Sequence, residues 1–335
     1  MHRRILFEQD KGGSALNILV LGGAGFLGCN LVRRCLRESG NRVTVLDSLE
    51  PRLQSTTDGL HEIWSQIRFV QGDIRDETLI AKMVEGQDVI FNCAAQTSHP
   101  LSLQDPLFDA GINCLGNLKL LEAVRTHNKQ AVLVYTSSST VVGRGMDNII
   151  DENHGEKPLD IYSANKGVAE KYYRIYNVVH DLKTVVLRFA NLYGPYGKGF
   201  PAFGFVNYFI HLAWRGQEIP IYGTGQQIRN VMFVDDAAEI LYQSALNPKL
   251  VGKMFFAVHD QHLMVVEIAK KIVSAFGRGR LVHIDWPDVR RRIEVERALI
   301  SSAQLRDLTR WKPRYSFEEG LARTKEIMEQ RGYPA

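Results

Sequence analysis

Tyr162 and Lys166 stand four residues apart in Tyr162-Ser163-Ala164-Asn165-Lys166. On a helix that spacing stacks the two side chains one turn apart on a single face. An ammonium beside a phenol favours the phenolate, so a tyrosine of ordinary pKa about 10 moves toward neutrality and can remove a proton. The same spacing also suits a surface tyrosine lying on a lysine stem, so the setting has to separate the two. The apolar run Gln130-Ala-Val-Leu-Val-Tyr135 ends in Thr136-Ser137-Ser138-Ser139-Thr140, and Ser138 lies 24 residues before Tyr162. Hydroxyls at the carboxyl end of a parallel strand face the crevice in which such sheets bind ligands. A serine of this cluster is therefore the expected partner of Tyr162.

Upstream elements must bring a second reactant to this pair. Asn17-Ile-Leu-Val-Leu21 reads as a strand buried on both faces and runs into Gly22-Gly23-Ala24-Gly25-Phe26-Leu27-Gly28, followed by helical periodicity. In that strand–turn–helix context Gly22 permits the turn and Gly25 lets backbone approach a pyrophosphate. Gly28 lets the helix pack on the strand, and the helix N-terminus meets the anion. The second strand, from Arg42 to Leu46, ends in Asp47, nineteen residues past Gly28. A carboxylate there accepts both ribose hydroxyls and repels a 2′-phosphate, which favours NAD over NADP. A third strand over 67–71 closes on Gly72-Asp73-Ile74, where Asp73 is placed to bond the adenine or to cap the helix expected over 76–85, a task Asp76 also suits. After the fourth strand come Cys93-Ala94-Ala95-Gln96, small enough at 94 and 95 for a flat ring or pyrophosphate to come close. His99 is a loop histidine or a substrate contact. Asn113 opens a helix expected over 112–125, as a cap or backbone tie, and is grouped with the cofactor contacts.

The chain has 335 residues, 45% apolar and 23% charged, with a net charge of +4. That describes an ordinary globular protein with one large or two closely packed domains. The charge gives no reason to expect nucleic acid, and no apolar stretch approaches the roughly 20 residues of a membrane span. Cys29, Cys35, Cys93 and Cys114 lie at no metal-like spacing and read as buried free thiols in a reducing, cytoplasmic setting. No metal is expected. Strands and helices alternate through residue 190, which predicts a Rossmann-type, doubly wound parallel α/β sheet. Residues 1–15 form an N-terminal extension and 16–190 the dinucleotide-binding domain, with 231–262 returning to it. Residues 191–230 and 263–335, the latter with two helices expected, form a smaller interleaved lobe. Asp235 or Asp236 is expected to cap a helix through Ser244. Arg290-Arg291-Arg292 reads as a solvated basic face.

Taken in order, Gly22–Gly28, Asp47, Gly72-Asp73-Ile74, Ala94-Ala95-Gln96, Ser137–Thr140, Tyr162-x-x-x-Lys166 and Arg188-Phe-Ala-Asn-Leu-Tyr-Gly-Pro195 resemble the extended short-chain dehydrogenase/reductases. Within these the chain is similar to the nucleotide-sugar epimerases and dehydratases, from about residue 16 to 330. The resemblance implies that Tyr162 removes a proton from a sugar hydroxyl and that Lys166 holds the nicotinamide ribose and lowers the tyrosine pKa. It further implies that Ser138 relays the proton while hydride passes to bound NAD+. Asn191 and Arg229 match positions that contact a nucleotide diphosphate, and Ser139 lies with them in the substrate group. It also implies a homodimer through helices near 103–126 and 162–180.

The hydroxyl cluster separates subclasses by the same resemblance. Sugar 4,6-dehydratases carry Asp-Glu directly after the catalytic Ser or Thr, and a decarboxylase places Glu at the Thr140 position. This chain has Ser139-Thr140, as 4-epimerases commonly do, and Thr140 is expected to position the sugar. Two features depart from the pattern. Val141-Val142-Gly143 replaces Val-Tyr-Gly, and no clear Arg-Pro-Gly-Asp occurs near 290–296. C4 epimerisation is the expected reaction. A 2-epimerase of CDP-linked sugars, an oxidoreductase or dehydratase of the same family, and a non-catalytic NAD sensor are the rivals.

Overall fold

The computed structural model describes residues 15–144 and 149–333. Residues 1–14 of the expected extension lie outside the described residues. Strand β1 (Asn17–Leu21) is apolar because both its faces are covered. Ile18 and Val20 enter one core cluster and Leu19 and Leu21 another, as the two-residue period of a strand requires.

Helix α1 (Phe26–Leu36) follows the glycine turn, then β2 (Arg42–Asp47), β3 (Ile67–Gln71), α2 (Glu77–Val84) and β4 (Val89–Asn92). Next come α3 (His99–Gln104), α4 (Pro106–Ala110), α5 (Asn117–His127), β5 (Val132–Ser138), α6 (Ile161–His180) and β6 (Lys183–Phe189). The later part holds β7 (Asn191–Tyr193), α7 (Phe205–Trp214), β8 (Glu218–Tyr222), β9 (Ile228–Phe233), α8 (Val234–Leu246), β10 (Lys253–Ala257) and β11 (His262–Met264). It ends with α9 (Val265–Phe276), β12 (Arg280–Ile284), α10 (Asp288–Arg292), α11 (Ala303–Thr309) and α12 (Phe317–Gln330).

Seven strands form one parallel sheet in the order β10-β6-β5-β4-β1-β2-β3. This is the Rossmann arrangement, and the order reverses between β1 and β4, where such sheets open a crevice. A three-stranded sheet, β11-β9-β7, and a two-stranded one, β12-β8, carry the smaller lobe. No helix among the described residues is long and apolar enough to cross a membrane.

Several expectations are corrected. Of residues 231–262, only α8 and β10 rejoin the main sheet; β9 and β11 pair with each other in the second one. The amphipathic α8 returns because Ala237, Ala238, Ile240 and Leu241 bury in the same cluster as Leu31, Val32 and Cys35 of α1. The described residues of 263–335 hold four helices rather than two. Asn113 does not open a helix: α4, a π-helical stretch Gly111–Gly116 and α5 run on without a break, so Asn113 sits mid-helix. Phe233 is the N-cap of α8; Asp236 instead accepts from the Arg314 and Tyr315 amides at 2.9 and 3.2 Å, tying α12's approach to the sheet. All four cysteines are free, but Cys93 and Cys114 are only partly buried.

Candidate active site

Asp160 starts α6 by accepting from the Ser163 amide at 2.8 Å. An aspartate in that position satisfies one of the free N–H groups of the first turn. It sets the helix phase so that Tyr162 and Lys166 both face the carboxyl ends of β4 and β5. Both side chains are buried, Lys166 at 2% exposure. Ser138 hydrogen-bonds Tyr162 and shares Thr140 Oγ1 at 2.8 Å, and Ser163 Oγ donates to that same oxygen at 2.8 Å. Ser138, Thr140, Tyr162 and Lys166 thus come together as one hydroxyl-rich cluster around a buried cation.

The lysine does not, however, do what its spacing predicts. Its Nζ donates to Thr136 O at 2.9 Å and stands 4.7 Å from the Tyr135 ring centre and 5.9 Å from that of Tyr162. Burial pushes the Tyr162 phenol well above its ordinary value, and the Ser138 hydrogen bond offsets only part of this. Burial likewise lowers Lys166 to about 8, with nearby Cys93, Asp109 and Glu170 pulling the other way. In the protein alone Tyr162 is therefore a neutral phenol.

The lysine shift has a measurable consequence. Between pH 8 and the unfolded value of 10.5 the unfolded chain holds the Lys166 proton and the folded one releases it, so stability rises with pH across that window and is lost as pH falls to 8. Relative to Lys166→Met, cofactor-free wild type is expected to gain about 1 kcal/mol between pH 8 and 9. Urea melts at the two pH values check this, and a difference that stays flat shows that Lys166 titrates normally.

A cleft of about 320 Å³ opens beside this cluster. Gly22, Gly25, Phe26, Leu27, Gly28, Asp47, Asp73, Ile74, Ala94 and Ala95 line it, as do Ser138, Tyr162 and Lys166. Gly22 has φ +72°, and a Cβ there would lie 2.6 Å from Ala94 N. At Gly28 a Cβ would lie 2.1 Å from Gly22 O, whereas Gly25 has only that oxygen nearby, at 3.2 Å. The turn is thus packed hard on its protein side and open toward the cleft. Asp47 accepts from the Ala24 amide at 3.0 Å and the Leu49 amide at 2.9 Å, and burial holds its carboxyl above the usual range. The buried Ser137 Oγ has no partner among the described residues and lines the same cleft. A dinucleotide would fit these features: its pyrophosphate would meet the α1 N-terminus, its ribose would meet Asp47, and Ser137 of β5 would offer a spare hydroxyl donor.

Three predicted cofactor contacts behave differently. Gln96 and Asn113 are fully buried behind the wall rather than on it. Gln96 binds Ser98 O at 2.8 Å and Asp109 at 2.7 Å, while Asn113 binds Gln96 O at 2.8 Å and Asp109 at 3.0 Å. Asn165 of α6 holds the other Asp109 oxygen at 2.7 Å. These amides brace the Ala94–Ser98 loop against α6, because backbone so close to a cleft needs its polar groups satisfied from behind. The Asp73 side chain turns to Arg75, at 2.7 and 2.9 Å, and Asp76 caps α2.

A second cavity, of about 350 Å³, lies between the sheet edge and the smaller lobe. His99, Ser139, Asn191 and Arg229 all line it. Asn191 donates to Asn230 O at 2.9 Å. The Arg229 guanidinium is held by Glu294 and by Val295 O, so its fork is aimed but engaged. Tyr222 and Trp286 stack at 5.0 Å on the far wall. Residues 18–255 match the NAD dependent epimerase/dehydratase family.

The chain belongs to that family. A putative UDP-glucose 4-epimerase of Methanocaldococcus jannaschii is 31% identical over 312 residues, covering 91% of this chain and 96% of that protein. A dTDP-glucose 4,6-dehydratase of Streptomyces niveus is 30% identical over 316 residues, 93% of this chain and 92% of its own length. The solved UDP-glucose 4-epimerase of Thermotoga maritima with UDP-glucose superposes with a TM-score of 0.86 at 26% identity, over 94% of this chain and 99% of that one. The chain is thus an enzyme of the NAD-dependent epimerase/dehydratase family. Epimerases and dehydratases stand at similar distances from it.

Within this family site, several residues were missed by sequence reasoning. Asp160, three residues before Ser163, carried an N-cap signal that went unused. Lys198 lines the first cleft, bonds Leu53 O and acts on Asp47, yet it sits in a segment without periodicity. The Tyr222–Trp286 pair joins residues far apart in the chain and had no local signal.

Proposed function

We propose that this family member is a nucleotide-sugar 4-epimerase working through a transient keto-sugar, with Tyr162 as the base. The observation that carries the reading is the hydroxyl trio Ser138, Thr140 and Ser163 beside Tyr162, with Ser139-Thr140 where water elimination needs two carboxylates. Bound NAD+ supplies a hydride acceptor and a positive charge that favours the phenolate. Tyr162 then takes the sugar hydroxyl proton, Ser138 bonds the same oxygen and passes the proton on, and Lys166 balances the buried anion. Thr140 and Ser139 orient the sugar at the mouth between the two cavities. Arg229 and Asn191 meet the diphosphate, with Arg229 exchanging Glu294 for phosphate oxygens. The Tyr222–Trp286 wall suits a nucleobase face.

Incubating NAD+-loaded protein with UDP-, GDP-, CDP- and dTDP-sugars, with products read by NMR and NADH by absorbance, tests this. A C4 stereoisomer without net NADH is the expected result. Stoichiometric NADH or a deoxy-keto product moves the chain to the oxidoreductase or dehydratase branch.

A homodimer is proposed as the working state, with free thiols suiting a cytoplasmic location. Leu107 and Leu115 on the 106–127 helical run, and Ile175, Val178 and Val179 on α6, are exposed apolar side chains with no task in a monomer. Light scattering is expected to give twice the chain mass, and Val178→Glu with Val179→Glu to return the monomer. A monomeric wild type sinks the proposal.

A further inference from the structure

Six residues line both cavities: His99, Ser139, Thr140, Asn191, Gly204 and Phe205. A sugar reaching from the nucleotide pocket to the cofactor cleft passes all of them. Only His99 among the six has a side chain suited to taking and giving a proton near neutrality.

Its geometry is that of an oriented base. His99 Nδ1 lies 2.5 Å from Asp160 Oδ2, and the ring meets Tyr162 edge-on at 4.7 Å between centres. Burial raises the Asp160 carboxyl, but the His99 hydrogen bond and charge, with Ser163, outweigh it and hold the group below the usual carboxylate range. In the neutral ring an ionised acceptor there assigns the proton to Nδ1 and leaves the Nε2 lone pair free. No described residue bonds Nε2. Because Asp160 also caps α6, one carboxylate aims both the helix that carries Tyr162 and the imidazole beside it.

An epimerase that only removes and returns hydride at C4 has no task for this pair, since Tyr162 and Ser138 manage the hydroxyl proton. We propose that His99, oriented by Asp160, is a second catalytic base, exchanging the proton on the carbon next to the carbonyl of a bound nucleotide-linked keto-sugar. The proposal rests on the nucleotide-sugar reading above and adds α-carbon chemistry to it. Nε2 takes the proton as the C–H bond breaks, and the electron pair forms the enolate double bond while the carbonyl oxygen takes the charge. The imidazolium trades its proton with water and returns one to carbon, restoring the ketone. Nothing is oxidised or reduced. Return to the original face restores the sugar, and return to the other face inverts that carbon.

The test supplies the ketone directly, so that hydride transfer does not enter the readout. NAD+-loaded protein in D2O receives UDP- or dTDP-linked 4-keto-6-deoxyglucose, and deuterium at C3 and C5 is followed by NMR. Wild type is expected to exchange about 100-fold or more above the protein-free rate. His99→Asn, whose amide still donates to Asp160, is expected to fall to the protein-free rate with unchanged melting temperature and NAD content. His61→Asn, at an exposed histidine outside both cavities, is expected to exchange at the wild-type rate. Should His99→Asn fail to fold, Asp160→Asn keeps the helix cap and is expected to lose about ten-fold or more. Wild-type exchange in His99→Asn, or the same loss in His61→Asn, overturns the proposal. Calorimetry on the same samples separates the two readings. Binding without exchange removes only the role of His99, whereas no binding removes the nucleotide-sugar reading and this proposal with it.

Discussion

Tyr162→Phe is expected to lower turnover by about 10²–10⁴-fold, the usual contribution of a positioned acid–base group, while NAD remains bound. The substitution removes one oxygen and leaves the ring. That ring keeps its edge contact with His99 at 4.7 Å and its place 5.9 Å from Lys166 Nζ. Losing the Ser138 hydrogen bond costs about 1 kcal/mol, and no longer having to desolvate a buried hydroxyl offsets part of it. Melting temperature should therefore hardly move. Single-turnover NADH formation with a responsive nucleotide sugar, set beside a thermal melt, decides the matter. Intact activity with a large loss of stability would make Tyr162 a packing residue.

Gly28→Ala should do the opposite, abolishing cofactor retention through sterics alone. The added methyl would sit 2.1 Å from Gly22 O, 2.7 Å from Gly23 Cα and 2.9 Å from Gly22 C. All three are backbone atoms of the turn and cannot rotate away. Either α1 lifts off the strand or the turn opens, and both routes displace the amides at the helix N-terminus that would meet the pyrophosphate. Overpacking of this kind costs about 1–3 kcal/mol, and bound NAD should be lost on gel filtration. Retention of NAD at wild-type level would show that the turn is not the pyrophosphate cradle.

The first half of the chain was the more legible. β1, β2, β4, β5 and β6 announce themselves by short apolar runs because a parallel strand covered on both faces needs no polar alternation. The glycine turn could be read because each glycine answers a local backbone demand. The later half was less so. β7, β8, β11 and β12 are short, and β10 is an edge strand whose partner, β6, lies some 70 residues earlier. Nothing near Lys253–Ala257 in sequence reports that pairing. Ser138, Thr140, Tyr162 and Lys166 were found because their spacing carries chemistry. Gln96 and Asn113 were assigned to the ligand because residue type alone does not say on which side of a wall an amide points.

By itself the sequence determined the cofactor class and the α/β alternation and brought out the candidate redox residues, since each depends on interactions within one turn, one strand or one helix. Tertiary structure alone decided the rest. It turned Asp73 to Arg75, engaged Arg229 with Glu294, and set His99 against Asp160 and Tyr162. It also reversed the expected effect of Lys166 on the protein alone. Spacing brings an ammonium near a phenol, but burial acts on both groups together, and here desolvation is the largest influence on each.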